Sequence, residues 1–225
     1  MARWKQWDNG LGVLFGVLFL ATLFGQAIAG HADFNHQQIA TGAPAVSFGE
    51  FVTSAEFAAD TAENWQSEYL QFFLYIFATV WLIQRGSPES KTADQIGRGS
   101  EREQQIGAFA SAESPPWASA GGWRTAVFSR SLGLTMGGLF LLSWLAQSIA
   151  GRSAYNADQL SDLQQPVGWL GYLASADFWN RTLQNWQSEF LAVASMVVLS
   201  IFLRQRGSPE SKPVGAPHDA TAQEG

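Results

Sequence analysis

NWQSEYLQFFLYIFATVWLIQRGSPESK, residues 64–91, decides how this chain is read. It recurs, eroded but legible, as NWQSEFLAVASMVVLSIFLRQRGSPESK at residues 185–212. Each copy places a glutamate just inside an apolar run and closes on the same polar heptad. No Asp, Glu, Lys or Arg lies between Glu68 and Arg85, or between Glu189 and Arg204. Two further uncharged stretches run from Asp8 to Asp33 and from Arg130 to Arg152. A helix needs about 20 mostly apolar residues to cross roughly 30 Å of hydrocarbon, so the four stretches predict four membrane spans. A soluble four-helix bundle would carry one apolar stripe per helix with charges on the outer face. LGVLFGVLFLATLF and FFLYIFATVWLI are instead apolar all round.

The composition agrees. Hydrophobic residues make up 47% of the 225 and charged residues 14%, against roughly 25% charged in soluble chains. The absence of cysteine excludes disulfides, thiolate metal sites and cysteine nucleophiles. A net charge of −6, with basic residues gathered at span edges, argues against nucleic acid as a partner.

The repeat extends beyond the quoted stretch at one constant offset. Leu11, Gly12, Gly16, Gln26, Asn35 and Phe57 match Leu132, Gly133, Gly137, Gln147, Asn156 and Phe178. GQAIAG at 25–30 matches AQSIAG at 146–151. Arg3 and Lys5 before an apolar core, with Ala27-Ile28-Ala29 before Gly30, resemble a cleaved signal peptide. The internal recurrence marks the segment as a repeat element instead. The expected fold is therefore all-α: an integral membrane four-helix bundle built from two tandem, parallel two-span repeats. Repeat 1 is expected over 1–91, with spans near 10–29 and 65–84. A flexible cytoplasmic linker follows over 92–122. Repeat 2 occupies 123–212, with spans near 131–150 and 184–203, before a disordered tail at 213–225.

Basic residues set the orientation. All but Arg152 and Arg181 fall before the first span, between the second and third, or after the fourth. Both termini and the 85–130 connection are thus expected in the cytoplasm, with the loops at 30–63 and 151–184 outside. Thr53-Ser54-Ala55-Glu56 and Ser175-Ala176-Asp177 carry helix-start signals. A helix beginning there lies on the membrane surface or runs straight into the span, and both alternatives remain open. Trp4, Trp7, Trp65, Trp117, Trp123 and Trp186 fall near predicted interfaces, as an aromatic belt requires.

The first candidate site is the pair Glu68 and Glu189. Counting about 1.5 Å per residue back from Arg85 and Arg204 places both near the outer edge of the hydrocarbon. Asn64, Ser67, Glu68 and Gln71 share one helix face; Asn185, Ser188 and Glu189 repeat it. A polar stripe on a spanning helix faces protein or water rather than lipid. These residues form either a proton or cation site, or a packing device in which Gln26 and Gln147 on neighbouring helices engage the glutamates. Gly12, Gly16, Gly133 and Gly137 have the small-residue spacing of close helix packing, expected between spans one and three. RGSPESK reads as a helix stop, with Gly86 suited to the left-handed position and Pro88 blocking continuation; pairing between the two copies would explain why its last three residues repeat. His31, Asp33 and His36 are too few and too local for a metal centre. No metal, cofactor or catalytic set is expected.

NWQSEYLQFFLY, WLIQRGSPESK, GGWRTAVFSRSLGL and RQRGSPESKPVGAPHD together resemble a bacterial family of small multi-pass membrane proteins known only as a domain of unknown function. The resemblance covers nearly the whole chain and implies a membrane location. It supplies no activity, so no residue role carries over. A shorter likeness, in an Asn-bearing span that ends in Leu82-Ile83-Gln84, is to low-affinity iron permease-like proteins. Two functions fit these features. One is a non-enzymatic membrane bundle with a scaffolding, sensing or accessory role. The other is a small cation or proton permease with Glu68 and Glu189 at its outer mouth. The expected partners are the lipid bilayer and either a second copy or other membrane proteins.

Overall fold

The structure, a computed structural model, describes residues 9–223; Arg3, Lys5, Trp4 and Trp7 lie outside the described residues. Eight α-helices follow one another: α1 (Gly10–Ala40), α2 (Phe48–Val52), α3 (Ala55–Trp81), α4 (Pro116–Ser119), α5 (Gly122–Phe128), α6 (Ser131–Ser161), α7 (Trp169–Leu173) and α8 (Ala176–Phe202). No strand occurs among the described residues. The order long, short, long occurs twice: α1, α2 and α3 have 31, 5 and 27 residues, and so do α6, α7 and α8.

Among the described residues, three helices are long and apolar enough to cross a membrane: α1, α6 and α8. The sequence reading expected four. The second of the four, α3, falls short for two reasons. Its outer half carries Asn64, Gln66, Ser67, Glu68 and Gln71, and the helix stops at Trp81, leaving Leu82 and Ile83 outside it. The early stop has a local cause. The Gln84 N–H donates to the Ser90 hydroxyl at 2.8 Å instead of to a helical carbonyl.

Contacts divide the chain into two units. One comprises the chain up to Thr61 together with Gln147–Trp169; the other comprises Ala62–Ala146 and everything from Leu170 onward. In the first unit α2 folds back on the C-terminal end of α1. Ser47 and Glu50 form a reciprocal capping box that starts α2. Phe51 is then buried against Phe34 and Phe57, with its ring over Gly30, where a Cβ would come within 2.9 Å of it. Asn35 holds the returning loop: its Oδ1 accepts from Val46 N–H at 2.7 Å and its Nδ2 donates to Val46 O at 2.9 Å. Asn156 repeats the clamp on Val167 at 2.8 and 3.0 Å. His31 also turns to this loop, with Nε2 2.8 Å from Val46 O. Among the described residues, no three His, Cys, Asp or Glu side chains are grouped as metal ligands.

In the second unit α3, α6 and α8 pack together. Gly137 of α6 receives the Phe73 ring of α3, at 3.1 Å from where a Cβ would stand. Trp144 of α6 stacks on Phe178 and touches Trp179 and Trp186 of α8. Tyr172 and Phe178 are fully buried beside it. The open question about the outer helices resolves to continuity. The Ser54 hydroxyl accepts from Phe57 N–H and the Ser175 hydroxyl from Phe178 N–H, both at 3.2 Å, and each helix then runs unbroken to its inner end. The residues 92–122, expected as a flexible linker, carry single 3-10 turns at Ala93–Gln95 and Gly107–Phe109, then α4. The tail from Pro213, expected as disordered, is bonded through residue 222 to the second unit, as described next.

Candidate functional site

The second unit holds a polar seam between α3 and α8. Towards the N-terminal ends of both helices Glu63 uses both carboxylate oxygens: Arg181 Nε donates to Oε2 at 2.6 Å and Asn185 Nδ2 to Oε1 at 2.8 Å. The pair is mostly shielded, with side chains 27% and 16% exposed for Arg181 and Glu63. One turn inward, Trp186 Nε1 donates to Gln66 Oε1 at 2.8 Å, and Gln66 is fully buried. Beside it, the Ser67 hydroxyl donates to Asn64 O at 2.9 Å and lies 3.4 Å from Glu189 Oε1, a weaker shared contact. The pairing follows from helix geometry. Positions three or four apart share a face, and Glu63, Gln66, Ser67 stand opposite Arg181, Asn185, Trp186, Glu189.

The two glutamates of the quoted repeats are thus in different surroundings. Glu189 is half-buried and bonded to Ser67 of α3, whereas Glu68 is exposed. Their charges are near enough to interact. Asn64 and Ser188 are exposed, and Gln71 is half-buried. Gln26 and Gln147 belong to the first unit; Gln147 is buried, and neither polar atom of its side chain has a hydrogen-bond partner. A Cβ on Gly12, Gly16 or Gly133 would meet no atom within 4 Å. Of the four packing glycines, Gly137 therefore makes a close approach, and its partner is on α3.

At the other end of the seam, where sequence reasoning offered a helix stop or pairing of the copies but no bonding partners, both RGSPESK copies have a physical explanation. Gly86 and Gly207 sit at φ +88° and +82°, the left-handed region that glycine adopts without strain. A Cβ on Gly86 would also collide with the His218 carbonyl. Ser90 accepts from Gln84 N–H and donates to Lys91 O; Ser211 accepts from Gln205 N–H at 2.9 Å and donates to Lys212 O at 3.1 Å. Each lysine then ties down backbone carbonyls. Lys91 Nζ donates to Gly97 O at 2.6 Å. Lys212, 1% exposed, donates to Gly86 O at 2.6 Å, His218 O at 2.8 Å, and Pro217 O and Ala220 O at 3.2 Å. Arg204 caps α8 by donating to Ser200, Ile201 and Leu203 carbonyls and reaches Ala216 O at 3.0 Å. These bonds hold the tail in place. A lysine with a glycine-proline loop was visible in the sequence, but its target carbonyls were not.

The repeated glutamates of the heptads meet. Glu210 shares a hydrogen bond with Glu89, and the Tyr75 hydroxyl donates to Glu89. That bond, with some burial and the Glu89 charge, pushes the Glu210 carboxyl above the usual carboxylate range. Between α3 and α8, directly above this group, lies a cavity of about 480 Å³.

The geometry contains helix-helix bonds, carbonyl clamps and a carboxyl pair. A family model, Domain of unknown function (DUF6766), matches residues 1–223. The chain belongs to that family. No curated protein and no solved structure matches it. Membership of DUF6766 and three helices able to span a bilayer mark an uncharacterised membrane protein.

Proposed function

We propose that this DUF6766 protein is a non-enzymatic, four-span bundle of the bacterial cytoplasmic membrane with a scaffolding or accessory role. In this reading α3 is the fourth span, inserted as the partner of α8. The observation that carries the proposal is the seam. Glu63 is consumed by Arg181 and Asn185, and Glu189 is engaged by Ser67, so these acids join helices rather than attack a substrate. Polar groups bonded across helices make α3 tolerable in hydrocarbon despite its polar stripe. The matched lengths and order of the two helix sets support a tandem parallel repeat. The exposed apolar side chains of α1, from Leu11 to Phe24, suit lipid or a second copy. The test is paired. Glu63→Gln should lower the unfolding temperature of the detergent-purified protein, while Glu68→Gln/Glu189→Gln leaves liposome ion flux at background. A glutamate-dependent flux would overturn the scaffolding role.

A second reading has its own observation. Ser67, Gln71, Tyr75 and Thr79 recur every four residues along α3, linking Glu189 at one end to Glu89 and Glu210 at the other by way of the cavity. Such a line suits a proton or cation route, for which a pH-sensitive dye in proteoliposomes is the direct measurement. Equal dye response with native protein and the double glutamine variant would remove it.

A further inference from the structure

The cavity between α3 and α8 has two unlike ends. Its walls are mostly apolar, with Leu74 and Ala78 from α3 and Phe190, Val193, Ala194 and Val197 from α8, interrupted on the α3 side by Gln71 and Thr79. Its inner end is polar, formed by Tyr75, Ser87 and Glu89. The volume of about 480 Å³ falls within the roughly 300–1,000 Å³ of small-molecule sites.

The polar end accepts more than it donates. Tyr75 has already committed its proton to Glu89. The Ser87 side chain is 1% exposed, lines the cavity, and its hydroxyl has no hydrogen-bond partner. A buried hydroxyl without a partner carries a cost that a ligand would remove. Glu89 and Glu210 sit against each other, and among the described residues neither forms an ion pair with Lys or Arg. The lysines of the same heptads point elsewhere, committed to Gly97 and to the tail carbonyls. Two adjacent carboxyl groups without a basic partner attract a cation, and apolar walls select one carrying a hydrophobic body.

We propose that this cavity binds a hydrophobic ammonium ion, its apolar body between α3 and α8 and its ammonium donating to Glu89 and Ser87. The positive charge compensates the carboxyl pair, and the ammonium protons fill the acceptors that the cavity presents. A phospholipid headgroup is a poor occupant, since its phosphate would stand beside two carboxyls. The site lies inward of Glu68 and Glu189 and requires neither transport nor a scaffolding role.

The experiment is calorimetric titration of the full-length protein in nanodiscs with octylammonium, octanol and octanoate, with empty nanodiscs as reference. Octylammonium should bind saturably at one site, at least tenfold tighter than octanol, and octanoate should not bind. Glu89→Gln/Glu210→Gln should bring octylammonium down to the octanol level. Ala194→Phe, which fills the cavity and leaves both carboxyls in place, should weaken octylammonium and octanol alike by tenfold or more. Equal affinity for octylammonium and octanol in the native protein would refute the charge recognition. Uptake matching empty nanodiscs, or unchanged binding in Ala194→Phe, would refute the site itself. If the glutamine variants fail to fold, the ligand series on the native protein and Ala194→Phe decide the matter.

Discussion

At the scale of single residues, the strongest commitments among the described residues are made by charged side chains near the C-terminal end of α8. Lys212 is an ammonium buried to 1% exposure whose three N–H donors are shared among four carbonyls between Gly86 and Ala220, the shortest contacts being to Gly86 O and His218 O. Lys212→Met keeps the stem and removes the donors, leaving several shielded carbonyls unsatisfied. At about 1–3 kcal/mol per unsatisfied buried group, the expected result is release of the tail, read as faster hydrogen exchange and proteolysis over 213–223. Unchanged protection there would show that Lys212 is not the clamp. Glu210 gives a pH prediction. Its carboxyl is held above the usual range by the hydrogen bond to Glu89, by burial and by the Glu89 charge, so the folded protein binds this proton more tightly than the unfolded chain. Its contribution to stability is complete below the ordinary carboxylate pKa and is lost as pH rises through the raised folded value. The thermal unfolding temperature of the native protein should therefore fall from mildly acidic towards neutral pH. Glu210→Gln, which keeps a donor and cannot ionise, should flatten that slope.

At the scale of elements, the helix ends were partly legible. Ser54 and Ser175 act as caps where a hydroxyl precedes the helix, although the sequence signal pointed equally to Thr53. Thr53 instead bonds back to the Gly49 and Glu50 carbonyls of α2. The inner ends were misjudged because RGSPESK looks like a terminator placed directly on the helix. The heptad is a loop in its own right, whose serine withdraws the Gln84 and Gln205 amides from helical bonding. The loops after α1 and α6 depend on Asn35 and Asn156, each holding both the backbone N–H and the backbone C=O of one valine. Replacing Asn156 with alanine removes two hydrogen bonds, each worth about 0.5–1.5 kcal/mol net. Asn156→Asp retains the acceptor for Val167 N–H and should lose roughly half as much. Chemical denaturation in mild detergent measures both, and equal losses would contradict the two-bond clamp.

At the scale of the whole molecule, two measurements bear on how the spans are arranged. The first is a double-mutant cycle on Glu63→Gln and Arg181→Gln. Contacting charged residues couple by about 0.5–3 kcal/mol, and additive losses would mean that the seam does not hold α3 to α8. The second uses the absence of cysteine as a clean background. Ala45→Cys and Gln164→Cys should react with an impermeant thiol reagent from outside intact cells, and Ser100→Cys only after the membrane is opened. Labelling of Ser100→Cys in intact cells would reverse the proposed orientation.

The sequence by itself determined what depends on the order of residues along one helix. Uncharged apolar stretches predict spanning helices, and α1, α6 and α8 have that character because backbone groups in hydrocarbon must bond within the segment. The polar stripe on α3 was equally readable from the spacing of Asn64, Ser67, Glu68 and Gln71. Which members of that stripe would be used was not readable, because a partner comes from a helix more than a hundred residues away. The structure gives Ser67 to Glu189 and Gln66 to Trp186, and leaves Glu68 exposed. Glu63 was passed over for the same reason: its importance lies in Arg181 and Asn185 across the seam, and nothing beside it in the chain announces them. The meeting of Glu89 with Glu210, and the apolar space above them, likewise exists only once α3 and α8 lie side by side. Contacts between distant segments are a property of packing, and no local periodicity encodes them.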